Sequence, residues 1–394
     1  MASTSTKSPN ARRTRIVCIS DTHNSTVKLP KGDVLIHAGD LTNQGSYSEL
    51  FRTIQWLEKA DFEAKIVIAG NHDITLDAGF YEQHQDGFHN QKSEDAAKCL
   101  SLLTSSPTIT YLCHSSATVR LTDPKGPGTE FTVFGSPYSP RVGLWAFSYD
   151  REETLDPSKP NPVTSSGPRT TDLWAAIPHN TDILVTHTPP HGHCDNSLGC
   201  HELQRMLSEI RPRLHVCGHV HHGRGAKRIR WGAKETEDGY VEAGVETWED
   251  PYPDPKSLKI SLVDLTARGG KRALDFQDPT LREDKSHHAD RAGSPDLMPR
   301  ISSRSAPQTA VDQGTPQLPE RAEPNTRLGP SRTPVLSQLA AEETATLGHR
   351  PQGQGRRETC VVNCAIAATS WPHSGGKRFH KPIVVDLDLP VAGT

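Results

Sequence analysis

Residues 32–40 read Gly-Asp-Val-Leu-Ile-His-Ala-Gly-Asp, and this stretch organises the rest of the chain. The residues between its first aspartate and Gly39 are apolar apart from His37. A short apolar run that ends at a glycine is typical of a buried strand in a parallel sheet. Asp40 would then lie just beyond the carboxyl end of that strand, where open α/β sheets bind their ligands.

The same pattern recurs along the chain, because other short apolar runs are also followed at once by side chains that can bind a metal. These side chains are Asp21 and His23 after 16–20, Asn71 and His72 after 65–70, His187 after 182–186, and His219 and His221 after 214–218. The carboxyl ends of parallel strands meet at one edge of a sheet, so these side chains are predicted to converge with Asp40. In the two Asp-x-His and His-x-His pairs, side-chain direction repeats every two residues, which would turn both members of an extended segment to one side.

The composition of the 394-residue chain limits the classes of function. Its hydrophobic fraction of 34% is low for a fully globular protein and predicts that part of the chain builds no core. A net charge of -3 gives no general case for binding a nucleic-acid polymer or an anionic membrane. The eight scattered cysteines favour reduced thiols over a disulfide framework. Without a secretory signal or a membrane-spanning run, the prediction is a soluble cytoplasmic protein, with the nucleus as the alternative compartment.

Four segments are predicted from the changes in composition along the chain. Residues 1–14 are predicted to be a disordered arm, and residues 15–266 to be the main α/β domain. Residues 267–357 are rich in Pro, Ser, Gln and charge, and bury too little apolar surface to offset their ordering entropy. A disordered insertion is therefore predicted there. Residues 358–394, with the apolar run 382–387, are predicted to complete the same domain.

The apolar patterns predict a layered α/β sandwich. Strands are predicted at 15–20, 34–38, 65–69, 108–112, 117–121, 131–134, 182–186, 214–217, 227–231, 240–244 and 258–263. Helices are predicted at about 47–59, 94–104, 171–177 and 200–210, and a surface loop at 150–170. Strands that alternate with helices early and cluster later favour a sandwich over a simple doubly wound sheet.

The types of the converging residues indicate a metal centre. Carboxylate, imidazole and amide oxygen together suit Mn, Fe, Zn or Mg rather than a metal that prefers thiolates. Two neighbouring divalent ions need a shared carboxylate, and Asp40 is the predicted bridge. Any one of these residues alone is more often an ordinary turn residue or helix cap. The chain contains, in order, the motifs D-x-H, G-D, G-N-H-D, T-H and G-H-x-H, and each of them ends an apolar run. A metal centre explains this order, whereas separate turn or cap roles would require five independent coincidences.

With this order of motifs the chain resembles the calcineurin-like metallophosphoesterases. The matching residues are Asp21-Thr-His23, Gly39-Asp40, Gly70-Asn-His-Asp73, Thr186-His187 and Gly218-His-Val-His221. Within that superfamily the metallophosphoesterase-domain-containing (MPPED-like) branch is the most similar, through residues 32–42, 134–137, 182–190 and 382–386. The likeness covers about 15–265 and roughly the last thirty residues. It implies a four-layer α-β-β-α sandwich with a dinuclear metal centre.

The resemblance also implies roles for individual residues. One ion is expected on Asp21, His23, Asp40 and His221, and the other on Asp40, Asn71, His187 and His219. The expected cofactors are two divalent ions, Mn²⁺ first, with Fe, Zn or Mg as alternatives. The implied reaction is in-line attack on phosphorus by a hydroxide that bridges the ions. His72 is expected to stabilise or protonate the leaving oxygen.

One departure from the wider superfamily bears on the substrate. The protein Ser/Thr phosphatases carry G-D-x-x-D-R-G, whereas residues 39–45 read Gly-Asp-Leu-Thr-Asn-Gln-Gly. The acid that partners the catalytic histidine and the arginine that binds phosphate are both absent from this stretch. The prediction is a phosphodiesterase acting on a nucleotide-type or other small phosphodiester, which has one fewer negative charge to bind. The alternatives are a phosphomonoesterase, or a low-turnover scaffold that recruits a protein partner through the 267–357 insertion.

Other polar residues near these motifs have ordinary structural interpretations. His191, His193 and Cys194 follow the candidate ligand His187 and offer zinc-binding atoms, but a pocket rim is the favoured interpretation. Asp73 is predicted to form a turn or to support the ligands, and His37 to be a buried histidine with its hydrogen bonds satisfied.

Overall fold

The computed structural model describes residues 11–89, 92–151, 170–236, 239–266, 356–369 and 376–392. Most of the predicted arm, of the 150–170 loop and of the 267–357 insertion lies outside the described residues. The strands are β1 (Ala11–Ile19), β2 (Val34–Ala38), β3 (Ala64–Ile68), β4 (Thr110–Tyr111), β5 (Ser115–Arg120), β6 (Glu130–Ser136), β7 (Ser139–Pro140), β8 (Ser148–Tyr149), β9 (Ile183–Thr186), β10 (Leu214–Cys217), β11 (Gly225–Thr236), β12 (Gly239–Trp248), β13 (Ser261–Asp264), β14 (Glu358–Asn363) and β15 (Ile383–Pro390). The helices are α1 (Tyr47–Lys59), α2 (Ala78–Phe88), α3 (Ala96–Thr104), α4 (Thr170–Ala175) and α5 (His201–Ile210).

The first sheet has the strand order β13-β15-β1-β2-β3-β4. Strand β2 is parallel to both β1 and β3, with Ile16 opposite Val34 and Val34 opposite Ala64. The predicted buried parallel strand at 34–38 is therefore confirmed. The C-terminal strand β15 lies between β13 and β1, parallel to the former and antiparallel to the latter.

The second sheet has the order β12-β11-β14-β10-β9-β6-β5. Its centre is parallel, because β10 pairs in parallel with β9 and β14, and β9 pairs in parallel with β6. The carboxyl ends of β9 and β10 therefore share one edge, as do those of β1, β2 and β3 in the first sheet. This arrangement supplies the five strand ends at which the metal-binding side chains were predicted.

Alternate residues of the central strands face two different cores, as the two-residue period of a strand requires. The core between the sheets includes Ile16, Ile36 and Ile66 from the first sheet and Val133, Val185 and Val216 from the second. Outside the first sheet, Val17, Leu35 and Val67 pack against Leu50, Leu57 and Leu103 of the helices. Outside the second, Leu184 and Val361 pack against Trp174, Leu203 and Leu207. These layers confirm the predicted α-β-β-α sandwich.

Helix α1 has the bounds that the sequence predicts because a capping box fixes its start. The Ser46 side chain accepts from the backbone N–H of Glu49, and the Glu49 side chain accepts from the backbone N–H of Ser46. Such reciprocal capping satisfies two N–H groups that a helix terminus otherwise leaves unpaired. Among the described residues no helix is both long and apolar enough to cross a membrane.

The sequence predictions differ from the structure in several details. The arm prediction fails for residues 11–14, because β15 supplies a partner strand that pairs Ala11 with Pro390. Helix α2 was not predicted, since Tyr81 is its one buried residue and the apolar pattern of the helix is weak. Helix α4 begins at Thr170, which was predicted to lie in a loop, and ends at Ala175. The eight cysteines are free thiols, as predicted.

Candidate metal centre

All seven predicted ligands lie at the shared carboxyl edge of the two sheets. Asp21 and His23 follow β1, Asp40 follows β2, and Asn71 follows β3. From the second sheet, His187 follows β9, and His219 and His221 follow β10. Their nitrogen and oxygen atoms form two groups that meet at one carboxylate.

The first group surrounds Asp21 and one oxygen of Asp40. His23 Nε2 lies 3.6 Å from Asp40 Oδ2, and His221 Nε2 lies 3.3 Å from Asp21 Oδ1. The two imidazole Nε2 atoms are 3.4 Å apart. Candidate ligand atoms of Asp21, His23 and His221 all lie within 4.8 Å of one another.

The second group surrounds the other oxygen of Asp40. His187 Nε2 lies 3.4 Å from Asp40 Oδ1 and 3.0 Å from Asn71 Oδ1. His219 Nδ1 lies 2.8 Å from the same Asn71 oxygen. Asp40 thus presents one carboxylate oxygen to each group, which is the arrangement expected of a carboxylate shared by two cations.

Backbone carbonyls orient the imidazoles of this centre. The Nδ1 atoms of His23, His187 and His221 lie 3.2, 2.9 and 3.3 Å from the carbonyl oxygens of Thr42, Ala38 and Thr369. In the tautomer that these contacts favour, each Nδ1–H donates outward and each Nε2 directs its lone pair toward the carboxylates. Lone pairs that converge in this way repel unless a proton or a cation lies between them. The donor set therefore fits divalent cations.

The electrostatics keep the carboxylates ionised. Burial alone would raise the pKa of Asp40, but the neighbouring charges of His187, His72 and His23 hold it well below its usual range. Burial likewise opposes ionisation of Asp21, yet hydrogen bonding and the charge of His221 lower its pKa. These shifts leave both carboxylates in the form that binds a cation.

Burial keeps some of the imidazoles neutral and not others. It lowers the pKa of His23 to about 4 and that of His219 to about 3. At His187, burial is outweighed by the charge of Asp40 and the hydrogen bond to it, and the pKa rises to about 9. In the protein without metal, a proton on His187 would compensate part of the carboxylate charge.

The ligand loops adopt strained backbone conformations. Asp21, His23, Asp40 and His219 have φ values of 54°, 43°, 53° and 64°. Non-glycine residues seldom occupy this left-handed region, and its cost is tolerated mainly at functional sites. The prediction that each pair lies on one extended segment is therefore wrong, although both pairs do converge. Left-handed turns, rather than the two-residue period of a strand, direct these side chains inward.

Two motif glycines leave no room for a side chain. A Cβ atom at Gly70 would overlap the backbone nitrogen and Oδ1 of Asp40, and one at Gly218 would overlap Ser20 Oγ and Asp21 Oδ2. The glycine before Asn71 and the glycine before His219 therefore allow the ligand loops to pass close to the two central carboxylates.

His72 lies at the rim of the centre with its orientation fixed at several points. Its backbone N–H donates to Asp40 Oδ1 over 2.9 Å, and its Nδ1 lies 2.9 Å from the Asn43 carbonyl oxygen. Its ring centroid is 4.8 Å from that of His23 and 4.0 Å from that of Trp145. Sequence analysis missed Trp145, because no motif or spacing marks it.

Asp73 ties the ligand loops together. Its carboxylate accepts hydrogen bonds from the backbone N–H groups of Gly70, Leu41 and Thr42 and from the Thr42 hydroxyl, at 2.7–3.1 Å. Burial and the charge of Asp40 raise its pKa to about 6. The supporting role predicted for Asp73 is confirmed.

The segment that contains His191, His193 and Cys194 does not form a three-residue metal group among the described residues. His193 Nε2 is instead paired with Glu242 Oε1 at 2.7 Å, and the His191 ring stacks on His201 at 3.6 Å. His37 is fully buried, with Nε2 2.9 Å from Thr22 Oγ1. Its Nδ1 has no hydrogen-bond partner among the described residues, so its predicted satisfaction is only partial.

Comparison with known proteins agrees with these motifs. A family model described as calcineurin-like phosphoesterase matches residues 14–223. The chain is 38% identical over 228 residues to human metallophosphoesterase domain-containing protein 1, covering 54% of this chain and 62% of that protein. It is 39% identical over 237 residues to a protein of Emericella nidulans named probable rhamnogalacturonate lyase C, covering 59% of this chain and 20% of that protein. The chain thus spans less than two thirds of the length of these relatives.

A solved structure of purple acid phosphatase PPD1 from yellow lupin aligns with a TM-score of 0.29 at 13% identity, over 57% of this chain and 40% of that one.

The span of the family model is more than half of the chain, and it contains His72 and all seven predicted ligands. The chain belongs to the calcineurin-like phosphoesterase family.

Proposed function

We propose that this protein is a dinuclear metal-dependent phosphoester hydrolase, and specifically a phosphodiesterase for a nucleotide-type or other small phosphodiester. The observation that carries the proposal is the geometry of Asp40, whose two oxygens face two separate groups of ligands. A single ion would need only one of these groups. The shared carboxylate and the converging lone pairs favour two ions.

Asp21, His23, Asp40 and His221 would hold one ion, and Asp40, Asn71, His187 and His219 the other. When bound, the ions would polarise the phosphoryl oxygens and lower the pKa of water at the centre. Mn²⁺ is the proposed metal, with Fe, Zn or Mg as alternatives, because oxygen and imidazole donors suit all of them.

His72 would act on the leaving group. Its Nδ1–H is directed to the Asn43 carbonyl, so Nε2 is the atom available to the substrate. In the imidazolium form, Nε2–H can donate to the departing oxygen and lower the energy of the developing alkoxide. The backbone bond to Asp40 Oδ1 keeps His72 next to the shared carboxylate.

Two features favour a diester over a monoester. The partner of His72 is a backbone carbonyl rather than a carboxylate, and residues 39–45 contain no arginine or lysine. Arg224 is already engaged by other groups, because its guanidinium lies 3.0 Å from the Lys381 carbonyl oxygen and 3.5 Å from the Asp250 carboxylate. It is therefore not counted as a cation for the substrate. A phosphodiester carries one negative charge fewer than a fully ionised monoester, and so it needs less cationic compensation from the protein.

The test is hydrolysis of bis-p-nitrophenyl phosphate and p-nitrophenyl phosphate with Mn²⁺ by the wild type, Asp40→Asn and His72→Ala. The expected result is turnover of the diester by the wild type and its loss in Asp40→Asn. In His72→Ala, activity should fall, least for a leaving group as acidic as p-nitrophenol, while metal content stays at two ions per chain.

Two other results would change the assignment. Preference for the monoester would favour a phosphomonoesterase. If the metal-loaded wild type cleaves neither ester nor a panel of cyclic nucleotides, a low-turnover scaffold becomes the better interpretation. Calorimetric titration with Mn²⁺ then adds a second criterion, because a substoichiometric endpoint would also argue against a two-ion enzyme.

We also propose a cytoplasmic location and a protein partner for residues 267–357. The composition of that segment supports the second proposal, since chains rich in Pro, Ser and charge commonly bind partners without a core of their own. Neither the location nor the partner enters the chemistry of the metal centre.

A further inference from the structure

A short loop, residues 141–147, lies against the candidate catalytic histidine. It connects β7 to β8, and these strands pair with each other in a small separate sheet. The Arg141 side chain donates to Asp150 Oδ1 over 2.6 Å across the base of the loop. The ends of the loop are therefore fixed close together, which limits the conformations open to the residues between them.

The same loop is also bonded to the segment that carries Asn71 and His72. The backbone N–H of Ala146 donates to the Asn71 carbonyl over 3.3 Å, and the backbone N–H of Phe147 donates to Asp77 Oδ2 over 2.9 Å. Trp145 precedes both of these residues. Its backbone is thereby held at a set distance from the metal-binding edge.

The Trp145 ring contacts His72 directly. The two ring centroids are 4.0 Å apart with the planes inclined by 33°. On another side Trp145 meets Phe88, with centroids 5.5 Å apart. His23 meets the His72 ring edge-on at 4.8 Å and 83°. The His72 imidazole thus lies between the ring of His23, a candidate metal ligand, and the indole of Trp145. The indole is itself supported by Phe88 in the C-terminal turn of α2.

We propose that Trp145 is a positioning residue that holds the His72 imidazole with Nε2 toward the leaving oxygen of the substrate. The inference rests on the proposed function, because it assigns Trp145 a role through the catalytic role of His72. The hydrogen bond from Nδ1 to Asn43 fixes one edge of the ring and His23 contacts the ring edge-on, but neither prevents the ring from tilting on the side that faces Trp145. Packing against the indole removes this freedom, and a small loss of alignment at a reacting atom can cost up to about 10²-fold in rate.

The test measures how the rate depends on the leaving group. Wild type, His72→Ala, Trp145→Ala and the double variant are assayed on aryl phosphodiesters whose phenols differ in pKa. A phenol of low pKa needs little help to leave, whereas one of high pKa needs the proton or hydrogen bond of His72. Trp145→Ala should therefore lower kcat about 10-fold or more for the poorest leaving groups and much less for p-nitrophenol, with KM little changed. The double variant should be no slower than His72→Ala alone.

Two variants separate positioning from general damage to the loop. Trp145→Phe keeps an aromatic face against His72 and should retain most of the activity. Val142→Ala alters the same loop at a residue that is 69% exposed, and should behave as the wild type. Metal content and Tm are measured for each variant, so that loss of metal or of fold is recognised.

The inference is overturned if Trp145→Ala slows all leaving groups equally, or if its effect adds to that of His72→Ala. If the wild type hydrolyses no ester, the proposed function fails, and the positioning role is then judged by NMR of the imidazole signals with a diamagnetic ion bound. The signal missing in His72→Ala identifies the ring. A shift or broadening of that signal in Trp145→Ala supports the role, and an unchanged signal overturns it.

Discussion

Asp386 and Asp40 are two buried carboxylates associated with the same sheet, and their surroundings are opposite. Asp386, on β15, accepts hydrogen bonds from Arg15 at both oxygens, at 2.7 and 2.8 Å, and Arg13 lies 3.6 Å away. Asp40, which follows β2, accepts from the backbone of His72 and otherwise faces the imidazoles of His23 and His187. One carboxylate has a permanent cation from its own chain, and the other has none within these contacts.

The difference separates a structural ion pair from a centre that binds a cation. A guanidinium is always charged, and its fork matches both oxygens of a carboxylate. An imidazole is charged only when both of its nitrogens carry a proton. A neutral imidazole presents a lone pair that repels the carboxylate. The chain therefore completes Asp386 by itself, whereas Asp21 and Asp40 are candidate ligands whose charge an external cation would compensate.

The largest expected effect comes from removing the charge of Asp40. Asp40→Asn keeps the size of the side chain but removes the charge with which Asp40 would bridge the two proposed cations. We expect kcat/KM for the diester to fall by about 10³-fold or more, equivalent to about 4 kcal/mol of transition-state stabilisation. The rise in Tm that Mn²⁺ should produce in the wild type should also disappear. A variant that keeps the metal-dependent rise in Tm would show that Asp40 does not bind the ions.

The same substitution at Asp386 should have the opposite profile. Asp386→Asn leaves the Arg15 guanidinium, whose pKa is raised by its bonds to Asp386, without its anionic partner. We expect the free energy of unfolding in urea to fall by about 2 kcal/mol, because the Arg15 guanidinium is partly exposed, while hydrolysis per folded molecule and metal binding stay unchanged. Loss of metal binding with unchanged stability would reverse the comparison between the two carboxylates.

The buried imidazole of His215 can be compared in the same way with the imidazoles of the candidate metal centre. His215 lies on β10, four residues before the candidate ligand His219, and its Nε2 is 2.7 Å from Thr186 Oγ1. The Thr186 hydroxyl donates to the Thr188 carbonyl, so the His215 Nε2–H donates to Thr186 and the ring is neutral. Burial lowers its pKa to about 3. Here the chain provides a hydroxyl partner for Nε2 and leaves Nδ1 without a hydrogen-bond partner among the described residues, and no cation is involved.

The pH dependence of unfolding follows from that pKa. Because the unfolded chain binds a proton near pH 6.5 and the folded state does not, the contribution of His215 is full above pH 6.5 and is lost as the pH falls toward about 3. We expect His215→Gln to reduce the loss of stability between pH 7 and pH 4.5 by about 2 kcal/mol. Urea unfolding of both proteins with a chelator present measures this difference. Equal pH dependence would show that the imidazole is not kept neutral by burial.

The sequence predicted the convergence of the candidate ligands because the signal is local to the strand ends. An apolar run followed by glycine and aspartate indicates both the strand and the side chain at its carboxyl end, as at Gly39 and Asp40. Parallel pairing then brings distant strand ends together without any further information. The alternation of these runs with helical patterns predicted a layered sandwich, whereas its four-layer order was implied by the resemblance to the family.

Features that depend on contacts distant in sequence could not be predicted in this way. Residues 11–14 are polar and form strand only because β15 pairs with them from the far end of the chain. Trp145 is one aromatic residue in a loop until the fold brings its ring against His72. The left-handed backbone of Asp21 and Asp40 leaves no mark in the pattern, because non-glycine residues rarely adopt it.

The smallest expected effect concerns two glycines. Like the two carboxylates, one lies at the candidate metal centre and the other lies outside it. At Gly70 a methyl group would overlap Asp40, whereas a Cβ at Gly87, near the end of α2, would meet no atom within 4 Å. Gly87→Ala should therefore raise the free energy of unfolding by about 0.5 kcal/mol, since alanine loses less backbone entropy in a helix. Urea unfolding at one pH, with Mn²⁺ absent, resolves this change, and hydrolysis should be unaffected. A loss of stability at Gly87 would mean that α2 needs the freedom of glycine there, and that open space alone does not make a glycine replaceable.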